Sequence, residues 1–372
     1  QMCIRDRSKS KFIIMRVLMV FENKKVDNLF VPILCQGLQA KGIDVEVSVE
    51  KFWPDDLFYD IIHFQWPEEI TGWNNQYIQK IQLLEKRIAF LKHQGSKFIY
   101  TRHNSRPHYY NPITYLAYNI IESSCDMIVH MGQFSYDEFR QQYPRSHHVI
   151  IPHHIYESTY NENISQKEAR EKLNLPPDKF IILAFGKFRR KDEIAMVIAS
   201  FLKFKCKNKY LLAPRLLPFS PHTGNKSSLK KFLSSILYHT SKFICKLNRI
   251  QANSNEMIIS NEELPYYIIA SDLLMIQRKR ILNSGNLPLA FLFKKVVVGP
   301  DYGNIRNILN ESGNPIFNPD NTNSIVQALA QGFQMTQVHK GEDNYLYAKQ
   351  HFSLQQVSEL YRQVYINLIQ HQ

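Results

Sequence analysis

Cysteine is scarce in this 372-residue sequence: Cys3, Cys35, Cys125, Cys206 and Cys245 are scattered, odd in number and form no CxxC pair. Such spacing argues against a disulfide framework or a structural zinc site and fits a reducing cytoplasm. Long apolar runs are missing too. The run Leu287 to Phe293 falls far below the roughly 20 residues a spanning helix needs, so the chain is expected not to cross a membrane. The first dozen residues, QMCIRDRSKSKF, lack the apolar region and small-residue cleavage site of a secretory signal. QMCIRDR reads as the translation of a sequencing adapter, and Met15 opens the apolar stretch MRVLMVF, so the natural chain is expected to begin near Met15. Neither HExxH, nor ligand-spaced Cys/His, nor an Asp-x-Asp pair that would hold Mg²⁺ on a diphosphate is present, and no metal or cofactor is expected. The absence of GxSxG, a Walker lysine motif and GxGxxG weakens hydrolase, NTPase and dinucleotide readings.

What is present is a globular composition, with 44% hydrophobic, 21% charged and 12% aromatic residues. This supports a sizeable core and two domains, and rules out disorder, collagen and coiled coil. Apolar runs of strand length occur at Ile13 to Phe21, Asp60 to Phe64, Lys97 to Thr101, Asp126 to His130 and His148 to Ile151. A second series follows at Phe180 to Phe185, Tyr210 to Ala213, Met257 to Ile259, Asp272 to Ile276 and Lys295 to Gly299. Helical patterns between most of them predict an α/β chain of two Rossmann-like, doubly wound domains facing across a cleft. The pattern Ser165-Gln-Lys-Glu168 opens a short helix that stops before Pro176-Pro177. The expected division is therefore 12–164, 165–344 and a terminal segment, 345–372.

The net charge of +13 is not spread evenly, because Lys187 to Arg249 holds fifteen Lys or Arg against only Asp192 and Glu193. Within this window Leu229, Phe232, Leu233, Ile236, Leu237, Phe243, Ile244 and Leu247 recur at helical spacing, with Lys230, Lys242 and Lys246 between them. Two readings follow for 226–249. One docks a basic amphipathic helix on anionic lipid headgroups, and the other packs its apolar stripe on its own domain. Nucleic acid is not expected as a partner, since no recognisable nucleic-acid module organises the charge.

Ligands in doubly wound sheets bind beyond the carboxyl ends of strands. In the second half, Phe185-Gly-Lys-Phe-Arg189-Arg190-Lys191 combines a turn-permitting Gly186 with cations suited to a diphosphate, the alternative being a solvated loop. Further on, Asn283-Ser284-Gly285-Asn286 precedes LPLAFLF, where a helix start presents backbone N–H groups to a phosphate or is simply capped. In the first half, His63-Phe-Gln-Trp66-Pro-Glu68, Thr101-Arg-His103-Asn104, His108 and the pair His153-His154 gather polar and aromatic groups at strand ends. Such groups bind sugar hydroxyls, and a histidine moves protons near neutral pH.

The stretches YDIIHFQWPE, IYTRHNSRPH, VIIPHHIY, KEAREKLNL, FGKFRRK, EELPYYIIASDLLMI and RILNSGNLPLAFLFKKVVVGPDYGNI resemble those of GT-B glycosyltransferases, of the family-four-like group that builds bacterial surface polysaccharides. The resemblance runs from about Arg16 to the C-terminus. It implies a metal-independent hexosyl transfer from a nucleotide-diphosphate sugar to a saccharide or lipid-linked saccharide. By this resemblance Arg189 and Lys191 hold the donor diphosphate beside Ser284-Gly285. His103 lies near the transferred sugar, and Asn104, His108 and His153 occupy neighbouring cleft positions. His63, Asn283 and Asn286 complete the candidates. If the reaction inverts configuration, His103 or Glu68 serves as base; if it retains configuration, the leaving diphosphate takes the proton. The implied location is cytoplasmic, with the basic stretch adding a peripheral place on the inner face of the plasma membrane. The terminal stretch from Tyr345 to Ile369 looks like a helix returning to the first domain. Where many relatives carry Glu-x7-Glu, alignment on KKVVVG places Ile281 and Leu289, and a Ser-Gly subset matches Asn283 to Asn286 instead. The missing acids motivate a rival reading, a non-catalytic polysaccharide or membrane-surface binding protein on this scaffold; a sugar-nucleotide epimerase is another.

Overall fold

The computed structural model describes residues 15–22, 28–72, 78–107, 111–220 and 228–370. The first half runs β1 (Arg16–Val20), α1 (Phe30–Gln39), β2 (Asp44–Val47), β3 (Ile61–Phe64), α2 (Glu68–Thr71), α3 (Ile78–His93), β4 (Lys97–Arg102), α4 (Pro112–Ser124), β5 (Met127–His130), α5 (Gln133–Phe139) and β6 (His147–Ile150). The second begins with α6 (Gln166–Lys172), β7 (Phe180–Leu183), α7 (Lys191–Lys203), β8 (Lys209–Leu217), α8 (Ser228–Leu247) and β9 (Ile250–Ser254). It continues with α9 (Leu264–Ala270), β10 (Leu273–Met275), α10 (Asn286–Leu292), β11 (Val296–Pro300), α11 (Gly303–Glu311), β12 (Ile316–Phe317), α12 (Thr322–Gln337), α13 (Lys340–Phe352) and α14 (Leu354–Gln370).

Each half folds into a six-stranded sheet, in the orders β2-β1-β3-β4-β5-β6 and β12-β11-β10-β7-β8-β9. All pairings are parallel, with Leu18 opposite Ile62 in the first sheet and Ile182 opposite Leu273 in the second. A parallel sheet covered on both faces needs strands that are apolar throughout. Phe180–Leu183 and Val296–Pro300 meet that demand, being buried along their whole length. Two apolar layers flank each sheet. The Ser165 hydroxyl accepts from Glu168 N at 3.1 Å and opens α6.

Three strands differ from the sequence reading, and all three lie on sheet edges. β2 and β12 were not anticipated, and the expected strand at Met257 to Ile259 is instead β9, ending at Ser254. Edge strands are half-solvated and so alternate or shorten. β9 buries Ile250, Ala252 and Ser254 while Gln251 and Asn253 are only partly buried. The apolar Met257 to Ile259 follows it in non-strand backbone.

The end of the chain returns to the first domain. Val357, Tyr361, Val364 and Tyr365 of α14 are buried in the layer formed with β1, β3 and α1. Polar contacts fix the register: the Tyr365 hydroxyl lies 2.7 Å from His63 Nδ1, and the Tyr361 hydroxyl 3.1 Å from Thr101 Oγ1. α14 thus braces the strands that carry the first domain's wall of the cleft.

Candidate active site

In the second sheet the strand order reverses between β7 and β10, the point at which doubly wound sheets open a crevice for ligands. The loop after β7 is shaped by Gly186, whose φ of 104° is a left-handed conformation that side chains disfavour. An added Cβ would stand 3.0 Å from the Gln277 amide. Asn286 Nδ2 donates to Phe185 O at 2.9 Å and ties this loop to the start of α10. Glu193, buried on α7, accepts from the backbone N of Arg189 and Arg190 at 3.1 and 3.3 Å and pairs with Arg278 at 3.1 Å. One carboxylate thereby joins the loops that follow β7 and β10.

These loops border a cleft of about 710 Å³. Its second-domain side holds Gly186, Lys187, Arg189, Arg190, Arg278, Arg280 and the turn Asn283-Ser284-Gly285-Asn286; its first-domain side holds Asn104 to Pro107. Arg278 is balanced by Glu193, Arg190 reaches Asp192 at 3.0 Å, and Arg106 pairs with Glu122 at 3.0 Å. The lining as a whole carries Arg106, Lys187, Arg189, Arg190, Arg278 and Arg280 against the one acid Glu193, so the cleft has an excess of positive charge. Arg189 and Ser284, far apart in sequence, face the same space. Lys191 does not: it is the exposed first residue of α7 and lies outside the lining. Arg280 was not singled out from sequence; its signal was the same basic run, RKR, that precedes Asn283.

The helix start at Ser284-Gly285 is not closed by a side-chain cap on Gly285. A Cβ on Gly285 would lie 3.1 Å from the Tyr156 hydroxyl and 3.7 Å from His153 Nε2, which places His153 directly behind the turn. His153 donates through Nδ1 to His154 O at 2.6 Å, and it lines a small recess together with Asn283 and Ser284.

On the first-domain side, His103 is buried, stacked on Trp66 with ring centroids 3.9 Å apart, and its Nε2 lies 2.8 Å from Gln65 Oε1. Because an amide oxygen only accepts, Nε2 carries the proton and Nδ1 is left as an acceptor. Burial holds the imidazole well below its ordinary pKa, so the ring is neutral. His63 is interior, bonded between Tyr365 and Thr101, and reaches His103 only through Gln65. Glu68 is not brought to the cleft lining. It is buried against Tyr118, whose hydroxyl donates to both carboxylate oxygens at 3.0 and 3.1 Å, and burial raises its pKa. His108 lies outside the described residues.

The two domains are clasped beside the cleft. Asn283 Nδ2 donates to the carbonyls of Arg102 and His103 at 3.2 and 2.9 Å, Asn304 Nδ2 donates to Asn283 Oδ1 at 2.7 Å, and Ser135 N donates to Asn304 Oδ1 at 3.0 Å. Asn304, on α11, escaped the sequence reading because only domain apposition gives it partners.

Buried neutral histidines have a measurable consequence. His63, His130 and His153 are held at a pKa of about 3 by burial, against an ordinary 6.5. In the unfolded chain each takes up a proton near the higher value, and in the folded chain only near the lower. Their contribution is complete above pH 6.5 and is lost as pH falls toward 3. Each adds a slope of up to about 1.4 kcal/mol per pH unit. Urea unfolding at pH 7 and pH 5 is expected to show a clear loss at pH 5, and equal midpoints would contradict it.

Among the described residues, no group of three or more His, Cys, Asp or Glu side chains converges as a metal site requires. No protein-family model matches the sequence, and no curated protein does. Solved structures do. Sucrose-phosphate synthase from Thermosynechococcus elongatus is similar over 96% of this chain and 100% of its own, with a TM-score of 0.70 at 13% identity. HepE from Anabaena, in complex with UDP, covers 94% of this chain and 99% of its own, with a TM-score of 0.63 at 12% identity. The catalytic domain of starch synthase IV from Arabidopsis thaliana, bound to ADP and acarbose, covers 96% and 99%, with a TM-score of 0.63 at 11% identity. With two parallel six-stranded sheets flanked by helices and likeness to these structures over 94–96% of its length, the chain has the GT-B fold.

Proposed function

We propose that the chain is a glycosyltransferase that moves a hexosyl group from a nucleotide-diphosphate sugar to a saccharide or lipid-linked saccharide, without a metal ion. One observation carries the reading: Arg189, Arg280 and the Asn283–Asn286 turn border the same cleft as Asn104 of the other domain. That space has most of its cations on one wall and Asn104, Ser105 and Arg106 on the other, as transfer from an anionic donor requires. The nucleotides bound by HepE and starch synthase IV support a donor of this class.

In this reading Lys187, Arg189 and Arg280 stabilise the charge that grows on the departing diphosphate. Domain closure excludes water that would hydrolyse the donor. His103 is buried just behind Asn104 and is not itself in the cleft lining, and a neutral imidazole of depressed pKa is a weak base. Glu68 is engaged by Tyr118 away from the lining. Both placements favour proton transfer to the leaving diphosphate itself, hence retention of anomeric configuration.

The test is incubation with a panel of nucleotide sugars and saccharide acceptors. Nucleoside diphosphate is expected to appear when both substrates are present, with the donor's anomeric configuration kept in the product by NMR. Isomerised donor would indicate an epimerase, and binding without turnover a decayed scaffold; either refutes the proposal.

A further inference from the structure

Helix α8 carries its apolar residues on the outside. Leu229, Phe232, Phe243 and Leu247 are 68, 63, 62 and 69% exposed, and Leu233, Ile236, Leu237 and Ile244 are also exposed. At 3.6 residues per turn these eight side chains fall within an arc of roughly 140°. The opposite side seats the helix: Tyr238 and Cys245 are buried, and the Ser234 hydroxyl donates to Ser220 O. The helix packs through that side on β8 and β9, at the edge of the second sheet. The reading in which the stripe packs on its own domain is not what the structure has, because the seam and the stripe are different faces.

We propose that α8 lies on the surface of an anionic lipid bilayer, with the apolar stripe inserted at the level of the headgroups and acyl chains. Charge selects this occupant. Lys230 and Lys246 border the stripe on either side, Lys231 and Lys242 stand farther round toward the seam, the helix has no Asp or Glu, and all four lysines are exposed. Exposed lysines beside an apolar face match negative headgroups above an apolar interior. A second copy of the same helix would set these lysines against four more, which disfavours self-pairing. The helix lies on the bilayer rather than through it, since none of the described helices is long and apolar enough to cross. The surface is separate from the cleft, and the proposal requires nothing of the transfer reaction.

Sedimentation of the whole chain with vesicles tests it. Binding is expected to vesicles of phosphatidylcholine mixed with phosphatidylglycerol, to be weak to phosphatidylcholine alone, and to fall with added salt. The double variant Lys230→Gln/Lys246→Gln is expected to lose roughly thirty-fold in partitioning. Phe232→Ser/Phe243→Ser, at exposed positions that leave the seam intact, is expected to abolish stable binding, whereas Lys167→Gln on α6 leaves it unchanged. Failure of the native chain to bind the mixed vesicles overturns the proposal, as does binding that survives loss of both phenylalanines. A dimer by light scattering that the phenylalanine variant dissociates, without vesicle binding, assigns the stripe to a second copy and also overturns it.

Discussion

Replacing Arg189 by alanine is expected to lower nucleoside diphosphate release by about 10²- to 10³-fold, the effect of removing one preorganised charge-stabilising group, and EDTA is expected to change neither variant nor native rate. The expectation rests on position: Arg189 borders the cleft, on the loop whose turn Gly186 permits and whose backbone Glu193 holds. Lys191→Ala is the matched control. That lysine is near in sequence but exposed on α7 and outside the lining, so its loss should change the rate by less than a few-fold. Full activity in Arg189→Ala, or equal losses in both variants, would remove Arg189 from the diphosphate-binding role.

The largest loss of stability is expected from Glu193→Ala. Glu193 is 2% exposed, pairs with Arg278 and accepts from two backbone N–H groups in the turn before α7. Removing one partner of a buried ion pair leaves the other charge uncompensated and costs about 3–5 kcal/mol. Urea unfolding measures it. Glu193→Gln, which keeps an acceptor of the same shape, should lose less, and Glu193→Ala/Arg278→Met should recover part of the loss because no lone charge stays behind. If the alanine variant unfolds at the native midpoint, the link between the two loops is not structural. Because the same carboxylate holds the backbone of Arg189, Glu193→Ala should also lower turnover, and the glutamine variant separates this from unfolding.

Much of the architecture could be read from the residues because buried parallel strands are apolar over their whole length and the helices between them are periodic. Leu18, Ile62, Ile182 and Val297 each lie in such a run. The edges were harder. Asp44–Val47 alternates, Ile316–Phe317 is too short to stand out, and β9 carries Gln251 and Asn253. In each case the strand signal is diluted by the solvent the edge still meets. The loops of the candidate site were visible because ligand sites follow strand ends, which points to FGKFRRK and NSGN without coordinates. Which cation in a basic run faces the cleft was not visible. That depends on where α7 begins, and the helix turns Lys191 away while leaving Arg189 in the loop. Glu68 follows β3 and His63 lies within it, and the packing of Tyr118 and Tyr365 draws both inward. Sequence proximity to a strand end does not encode that choice.

The asparagine clasp grips backbone rather than side chains of the first domain. Asn283 and Asn304 engage the first domain through the carbonyls of Arg102 and His103 and the amide of Ser135, main-chain groups that any residue supplies except proline at position 135. The clasp itself therefore does not depend on which side chains stand at these positions, although Arg102, His103 and Ser135 are buried and engaged with their own domain. How the two lobes meet is thus written in main-chain atoms, and what lines the space between them is written in side chains.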